Sequence, residues 1–228
     1  MNELFVFVRP PRPMWPFNGP SSSFWPPLAF ASLAAALRLS CRDWRVEILD
    51  APALEMGWRS LEAELRRRQP AVIAMGEKAV SCAECLRLAR LGRPLGAKVI
   101  AGGCFFGHVG PQVLKTGLVD VVAHGEGEQT VVELAQALRE GTTAALEQVT
   151  GISFLRGDVP YRTKPRRLIK NLDDLPMPAW DLLPMHRYGA GSRNHPGLAG
   201  LGLSHDGRTI ARASTMMQTP SDELASGT

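Results

Sequence analysis

Short apolar runs alternate with stretches of helical periodicity over the first 140 residues of the chain. The runs are apolar on both faces, as expected for strands that are covered by helices on both sides. They lie at Leu4–Val8, Arg45–Leu49, Ala71–Met75, Lys98–Ala101 and Val119–Ala123. The alternation predicts an α/β fold with a doubly wound, five-stranded parallel sheet of the flavodoxin-like or Rossmann-like kind.

The stretches between these runs carry apolar residues at the i, i+3, i+4, i+7 spacing of a helix with one buried face. Stripes of this kind begin at Phe30, Trp58, Cys82 and Val131. A shorter helix is expected near Pro111–Lys115.

The pattern changes after Arg139. Ile152–Leu155 and Pro160–Thr163 flank a turn containing Gly157, which predicts a β-hairpin. The stretch Leu172–Pro184 is rich in proline and reads as an extended connector. We therefore expect an α/β domain over residues 1–145, a hairpin and connector over 146–188, and a poorly ordered tail over 189–228, which is rich in Gly, Ser and Thr.

The composition adds limits on location and partners. The 228 residues are 45% hydrophobic and 21% charged, which is ordinary for a globular domain. No apolar run approaches a membrane span and the start lacks a secretion signal, so we expect a cytoplasmic protein with no membrane partner. The net charge is +4, and five positive charges lie between Arg162 and Lys170. One local run is typical of a solvated loop, so no nucleic-acid partner is expected.

The sequence offers no catalytic constellation and no metal site. Cys82 and Cys85 form a C-x-x-C pair, a spacing found in redox and metal sites. Both cysteines also belong to a helical apolar stripe, which favours packing in the core. No histidine has an i+4 histidine partner, and no serine lies in G-x-S-x-G. We therefore predict no catalytic residue and no metal ligand.

Glycines follow several of the predicted strands, at the edge where doubly wound sheets bind ligands. Gly76 follows the third strand, Gly102 and Gly103 follow the fourth, and Gly125-Glu126-Gly127 follows the fifth. A glycine lets backbone approach a bulky ligand because it has no Cβ. The spacing matches no nucleotide-binding motif, and ordinary turns explain it equally well.

Five segments at the strand ends and in the connector occur in a recognisable order. They are Pro26-Pro27-Leu28, Asp50-Ala51-Pro52, Ala101-Gly102-Gly103, Val119–Val122 with Gly125–Glu128, and Asn171–Trp180. In this order they resemble the cobalamin-binding domain of cobalamin-dependent radical-SAM enzymes, and the resemblance covers Met1 to Tyr188. It implies that the chain binds cobalamin as the cofactor module of a methyltransferase-type enzyme. The cofactor contacts it implies are at Asp50, Ala51, Pro52, Gly76, Gly102, Gly103, Gly125, Glu126 and Gly127.

Two departures from related cobalamin proteins sharpen this expectation. Methionine-synthase-like domains carry a cobalt-ligating histidine in D-x-H-x-x-G, and in the stretch from Asp50 to Glu55 its place is taken by Pro52. We therefore expect histidine-off cobalamin. The radical-SAM motif C-x-x-x-C-x-x-C is missing, since no cysteine follows Cys104. We expect a truncated chain that binds neither the [4Fe-4S] cluster nor S-adenosylmethionine, that is not catalytic alone, and whose candidate partner is a separate radical-SAM barrel protein.

Two other interpretations stay open at this point. The chain is alternatively a flavodoxin-like domain that binds another nucleotide or acts as a regulatory interaction domain. A remnant that folds and binds nothing is the third interpretation. The proline-rich segment Arg9–Trp25 either covers the outer face of the ligand or is a loop ordered only in a larger enzyme.

Overall fold

The computed structural model describes residues 3–11, 25–76 and 81–188. Within them, seven strands form one sheet in the order β2-β1-β3-β4-β5-β6-β7. The strands are β1 (Glu3–Arg9), β2 (Trp44–Asp50), β3 (Val72–Gly76), β4 (Lys98–Gly102), β5 (Val121–Ala123), β6 (Ile152–Arg156) and β7 (Val159–Arg162). The first five are parallel, and the β6–β7 hairpin continues the sheet antiparallel from β5.

Helices connect the parallel strands and cover both faces of the sheet. They are α1 (Leu28–Ser40), α2 (Trp58–Arg68), α3 (Cys82–Gly92), α4 (Cys104–Lys115), α5 (Glu128–Glu140) and the short α6 (Thr143–Gln148). No helix among the described residues is long and apolar enough to cross a membrane.

The side chains of β1 show how the two layers are divided. Val6 and Val8 belong to the core under α2, α3 and α4. Phe5 and Phe7 point the other way, and the ring of Phe7 lies 5.7 Å from that of Phe30 on α1. The period of two in the strand thus fills two separate cores, as both-face burial requires.

The predicted fold class is confirmed, with one correction to the sheet. Five parallel strands were expected with the hairpin outside the sheet, but the sheet has seven strands. The reason is that Val121, Val122 and Ala123 of β5 pair with Phe154, Ser153 and Ile152 of β6, so the hairpin covers the edge that β5 would otherwise expose.

The helix expected near Pro111–Lys115 begins seven residues earlier, at Cys104. Pro111 lies inside it, and a proline there removes the N–H that would bond the carbonyl of Gly107. The predicted tail over 189–228 and residues 12–24 of the proline-rich segment lie outside the described residues.

Candidate functional site

A cleft of about 860 Å³ opens at the carboxyl edge of the sheet. It lies over the ends of β1, β3 and β4, between the first turns of α1 and α4, which cover opposite faces. This is the place where the crossover direction changes, the usual ligand site of a doubly wound sheet. Its lining among the described residues is mostly apolar and consists of Arg9, Trp25, Pro26, Pro27, Leu28, Ala29, Phe30, Gly76, Gly103, Cys104, Phe105, His108 and Val109.

Two of the predicted glycines line this cleft, and a third lies beside them. Gly103 has φ 89° and ψ 170°, a conformation that is essentially restricted to glycine. Gly76 pairs with Gly102 across β3 and β4, and a Cβ on Gly76 would lie 3.2 Å from the carbonyl oxygen of Gly102. The floor of the cleft is therefore bare backbone, held open by residues without side chains.

Asp50, Ala51 and Pro52 do not line the cleft. All three are buried: Asp50 is the last residue of β2, and Ala51 and Pro52 lie in the turn that follows. The carboxylate of Asp50 is fully buried and accepts hydrogen bonds from Arg9 Nη1 at 3.3 Å and from the hydroxyl of Tyr188 at 2.8 Å. Asp50 is therefore connected to the cleft through its hydrogen bond with Arg9, which lines the cleft.

Tyr188 is held in its protonated form. Burial, and then the negative charge of Asp50, raise the pKa of Tyr188 well above its ordinary value. The phenol therefore donates to the carboxylate at any physiological pH. A residue at the end of the connector is thus bonded to a residue 138 positions earlier in the chain.

Gly125, Glu126 and Gly127 lie outside the cleft lining and serve the packing of the connector and α5. The Glu126 carboxylate accepts a hydrogen bond from the backbone N–H of Ile169 at 2.6 Å. A Cβ on Gly127 would lie 2.7 Å from Cδ2 of Leu33, so glycine there lets α5 approach α1 closely. Gly125 has φ 71°, which its turn requires.

The two remaining motifs have structural partners. Cys85 is fully buried in the core, and Cys82 packs against the same core. Burial, and then the charge of Glu84, raise the pKa of the Cys82 thiol, which disfavours the reactive thiolate.

In the basic run between Arg162 and Lys170, the nearly buried Arg166 donates to Thr130 and forms an ion pair with Glu133. Part of that run is therefore structural and not a solvated loop.

The first turns of α4 were missed as a cleft wall because the helix was expected to start later. Cys104 and His108 are one helical turn apart, as are Phe105 and Val109, and all four line the cleft. The Nδ1 atom of His108 lies 2.7 Å from the carbonyl oxygen of Cys104. The i, i+4 spacing of these side chains directly after Gly102 and Gly103 was the sequence signal that could have predicted this wall.

In the described part of the chain, no group of three His, Cys, Asp or Glu side chains is placed to hold a metal ion.

Fold and cleft together define a doubly wound domain with an open cleft at its switch point. The family model described as the B12 binding domain matches residues 15–135, more than half of the chain. The chain belongs to this B12-binding family, which confirms the predicted resemblance and supports cobalamin as the ligand.

Two curated relatives match 72% of the chain each. One is an uncharacterized methyltransferase of Pyrococcus horikoshii, 30% identical over 173 residues that make up 36% of its length. The other is the anaerobic magnesium-protoporphyrin IX monomethyl ester cyclase of Cereibacter sphaeroides, 29% identical over 170 residues and 27% of its length. The chain thus spans about a third of the length of these relatives, or less.

Solved structures share the fold at lower identity. The radical S-adenosylmethionine methyltransferase TsrM from Kitasatospora setae, with cobalamin and a [4Fe-4S] cluster bound, matches 78% of this chain and 32% of its own, with a TM-score of 0.59 and 21% identity. The cobalamin-dependent radical enzyme OxsB, with aqua-cobalamin and S-adenosylmethionine bound, matches 80% of this chain and 24% of its own, with a TM-score of 0.62 and 17% identity.

Proposed function

We propose that these 228 residues bind cobalamin in the cleft between the first turns of α1 and α4. The observation that carries this proposal is the glycine floor: a wide, flat ligand needs bare backbone beneath it, and Gly103 adopts a conformation that excludes other residues. The apolar walls from Trp25 to Phe30 and from Cys104 to Val109 suit the apolar surface of a large, flat macrocycle. When bound, cobalamin supplies the redox and alkyl-transfer chemistry of its cobalt.

The residues proposed to hold the cofactor follow from the geometry of the cleft. Gly76 and Gly103 line the cleft and are proposed to contact the cofactor, and Gly102 supports them by pairing with Gly76. Asp50 acts through Arg9, and Ala51 and Pro52 shape the turn that follows Asp50. Gly125, Glu126 and Gly127 act on the same edge by fixing the start of α5 and the connector. The chain itself contributes binding and orientation.

The test is retention of the cofactor by the purified chain. Hydroxocobalamin is added, free ligand is removed by desalting, and the visible spectrum is recorded. We expect about one cobalamin per chain. Ala29→Trp should abolish retention because Ala29 is exposed and lines the cleft. Ala63→Trp, at an exposed position in the middle of α2, is the matched control and should bind as the wild type does.

Two results contradict this proposal. If the folded wild-type chain is colourless after desalting, it does not bind cobalamin and the proposal is wrong. If Ala29→Trp retains as much cobalamin as the wild type, the ligand does not bind in this cleft. Flavin mononucleotide that binds in preference to cobalamin would establish the alternative nucleotide-binding function.

We also propose that no protein histidine ligates the cobalt. Pro52 has no imidazole and is buried, and His108 is the described histidine that lines the cleft. The electron paramagnetic resonance spectrum of bound cob(II)alamin tests this, because a nitrogen ligand splits the cobalt lines. Labelling the protein uniformly with ¹⁵N should leave the spectrum unchanged. A changed splitting that disappears in His108→Ala would identify His108 as a ligand and refute the proposal.

The larger reaction is proposed from the family context. The four cysteines are Cys41, Cys82, Cys85 and Cys104, so these 228 residues contain no C-x-x-x-C-x-x-C motif. We propose that the [4Fe-4S] cluster and S-adenosylmethionine, if used, are held by a radical-SAM barrel outside these residues, and that the joint reaction is methyl transfer or a related radical rearrangement. The domain over 1–145 would then hold the cofactor while the hairpin and connector over 146–188 lead towards that barrel.

A further inference from the structure

The connector packs back onto the α/β domain. From Asn171 to Tyr188 it forms a segment that we call the strap. The backbone N–H of Ala179 donates to the carbonyl of Ala31 on α1 at 3.0 Å, and Ala179 and Leu183 are buried. At its end, the buried Tyr188 donates to Asp50. The strap therefore has polar and apolar contacts with the elements that carry the cleft.

A chain of polar contacts leads from the strap to the cleft. Oδ2 of Asp50 accepts from the hydroxyl of Tyr188 at 2.8 Å and from Nη1 of Arg9 at 3.3 Å. The same Nη1 donates to the carbonyl of Trp25 at 3.1 Å. Arg9 and Trp25 both line the cleft. Since the Asp50 carboxylate is fully buried, it has no water to replace a lost partner.

We propose that Tyr188 is a positioning residue: through Asp50 it holds the guanidinium of Arg9 in place at the cleft. The strap then contributes to cofactor binding although Tyr188 itself does not line the cleft. This inference rests on the proposed function and deepens it. The guanidinium carries only hydrogen-bond donors, so its counterpart on the ligand is an acceptor oxygen. In a corrinoid that acceptor is either a side-chain amide carbonyl or the phosphate of the nucleotide tail.

The test is a double-mutant cycle in dissociation constants for hydroxocobalamin, measured on the full chain. Tyr188→Phe removes the hydroxyl alone and should weaken binding about fivefold to tenfold. Arg9→Met should weaken it at least as much. The double variant should bind no more weakly than Arg9→Met, because Tyr188 acts through Arg9. A purely structural role would instead give effects that multiply.

Two comparisons complete the cycle. Arg38→Ala is the matched control, since it removes an exposed contact of the same strap, to Asp181, and should bind within twofold of the wild type. Repeating the cycle with cobinamide, which lacks the nucleotide tail, identifies the acceptor. An undiminished effect assigns it to a corrin amide, and a lost effect assigns it to the tail.

A second measurement needs no variant. If the strap favours cofactor binding, the cofactor must stabilise the strap by the same factor. Hydrogen exchange of the backbone N–H groups of Leu183 and Tyr188, both hydrogen-bonded within the strap, should therefore slow when wild-type protein binds cobalamin. Unchanged exchange, or Tyr188→Phe binding within twofold of the wild type, overturns the inference while the proposed function stands. A wild-type chain that does not bind cobalamin overturns both.

Discussion

The Nε2 atom of His124, at the end of β5, lies 2.8 Å from the hydroxyl oxygen of Ser153 on β6. The same imidazole packs against α4, where a Cβ on Gly107 would lie 3.4 Å from its Nδ1 atom. One side chain therefore links the parallel sheet, the hairpin and the helix that forms a wall of the cleft. A Cβ on Gly110 would lie 3.7 Å from Cε1 of the ring, an ordinary contact distance.

This environment predicts a pH dependence of stability. Burial, and then the positive charge of Arg162, hold the pKa of His124 below its ordinary value of 6.5. Below pH 6.5 the unfolded chain takes up a proton that the folded chain resists. The free energy of unfolding should therefore fall by up to about 1.4 kcal/mol per pH unit from this group, until the lowered pKa is reached.

Urea unfolding of wild type and His124→Gln between pH 5 and 8 measures this contribution. The variant should be less stable at pH 8 but should lose less stability as the pH falls. His108→Gln is the control, because its ring is exposed, and it should follow the wild-type profile. Parallel profiles for wild type and His124→Gln would mean that His124 protonates equally in both states.

Gly103, which lines the cleft, and its neighbour Gly102 should respond differently to the same substitution. Gly103→Ala forces a Cβ into a backbone conformation reserved for glycine, which should cost about 1 to 3 kcal/mol of stability. Gly102→Ala would place its Cβ 3.9 Å from that of Ala123, an ordinary contact, and should change stability by less than about 1 kcal/mol. Chemical denaturation of both variants decides the point, and equal losses would show that the conformation of Gly103 is not the cause.

The thiols should differ in accessibility. Cys104 is exposed in the cleft, Cys41 and Cys85 are buried, and burial raises the pKa of Cys82. An aromatic disulfide reagent should therefore react with one thiol rapidly in the native state, and Cys104→Ser should remove this phase. Cyanocobalamin should slow it by covering the cleft. Rapid joint reaction of Cys82 and Cys85 would instead restore the redox interpretation of the C-x-x-C pair.

The elements could be predicted where local pattern decides them. The run Leu4–Val8 was predicted as a strand and the strand extends one residue further at each end, because its alternating side chains fill two cores. The start of α4 was missed because two glycines and Pro111 resemble a loop. The helix forms around Pro111 while Phe106, Val113 and Leu114 pack into the core, contacts that the local pattern does not show.

The site was predicted less completely for the same physical reason. Gly76 and Gly103 could be named because strand ends and glycines are visible in sequence. Arg9 carries no local sign of a role, since its position depends on Asp50 and, through Asp50, on Tyr188. The hairpin was predicted from its turn. Its antiparallel pairing with β5 was not, because the local sequence pattern does not specify which strand of the sheet the hairpin joins.

The most direct test of the account is the position of the cobalt in crystals of the chain grown with cobalamin. Anomalous diffraction at the cobalt absorption edge locates the metal without a model of the ligand. We predict a single strong peak per chain in the cleft, above Gly76 and Gly103 and between the first turns of α1 and α4. A peak elsewhere on the domain, or no peak in crystals of folded protein, would contradict the account.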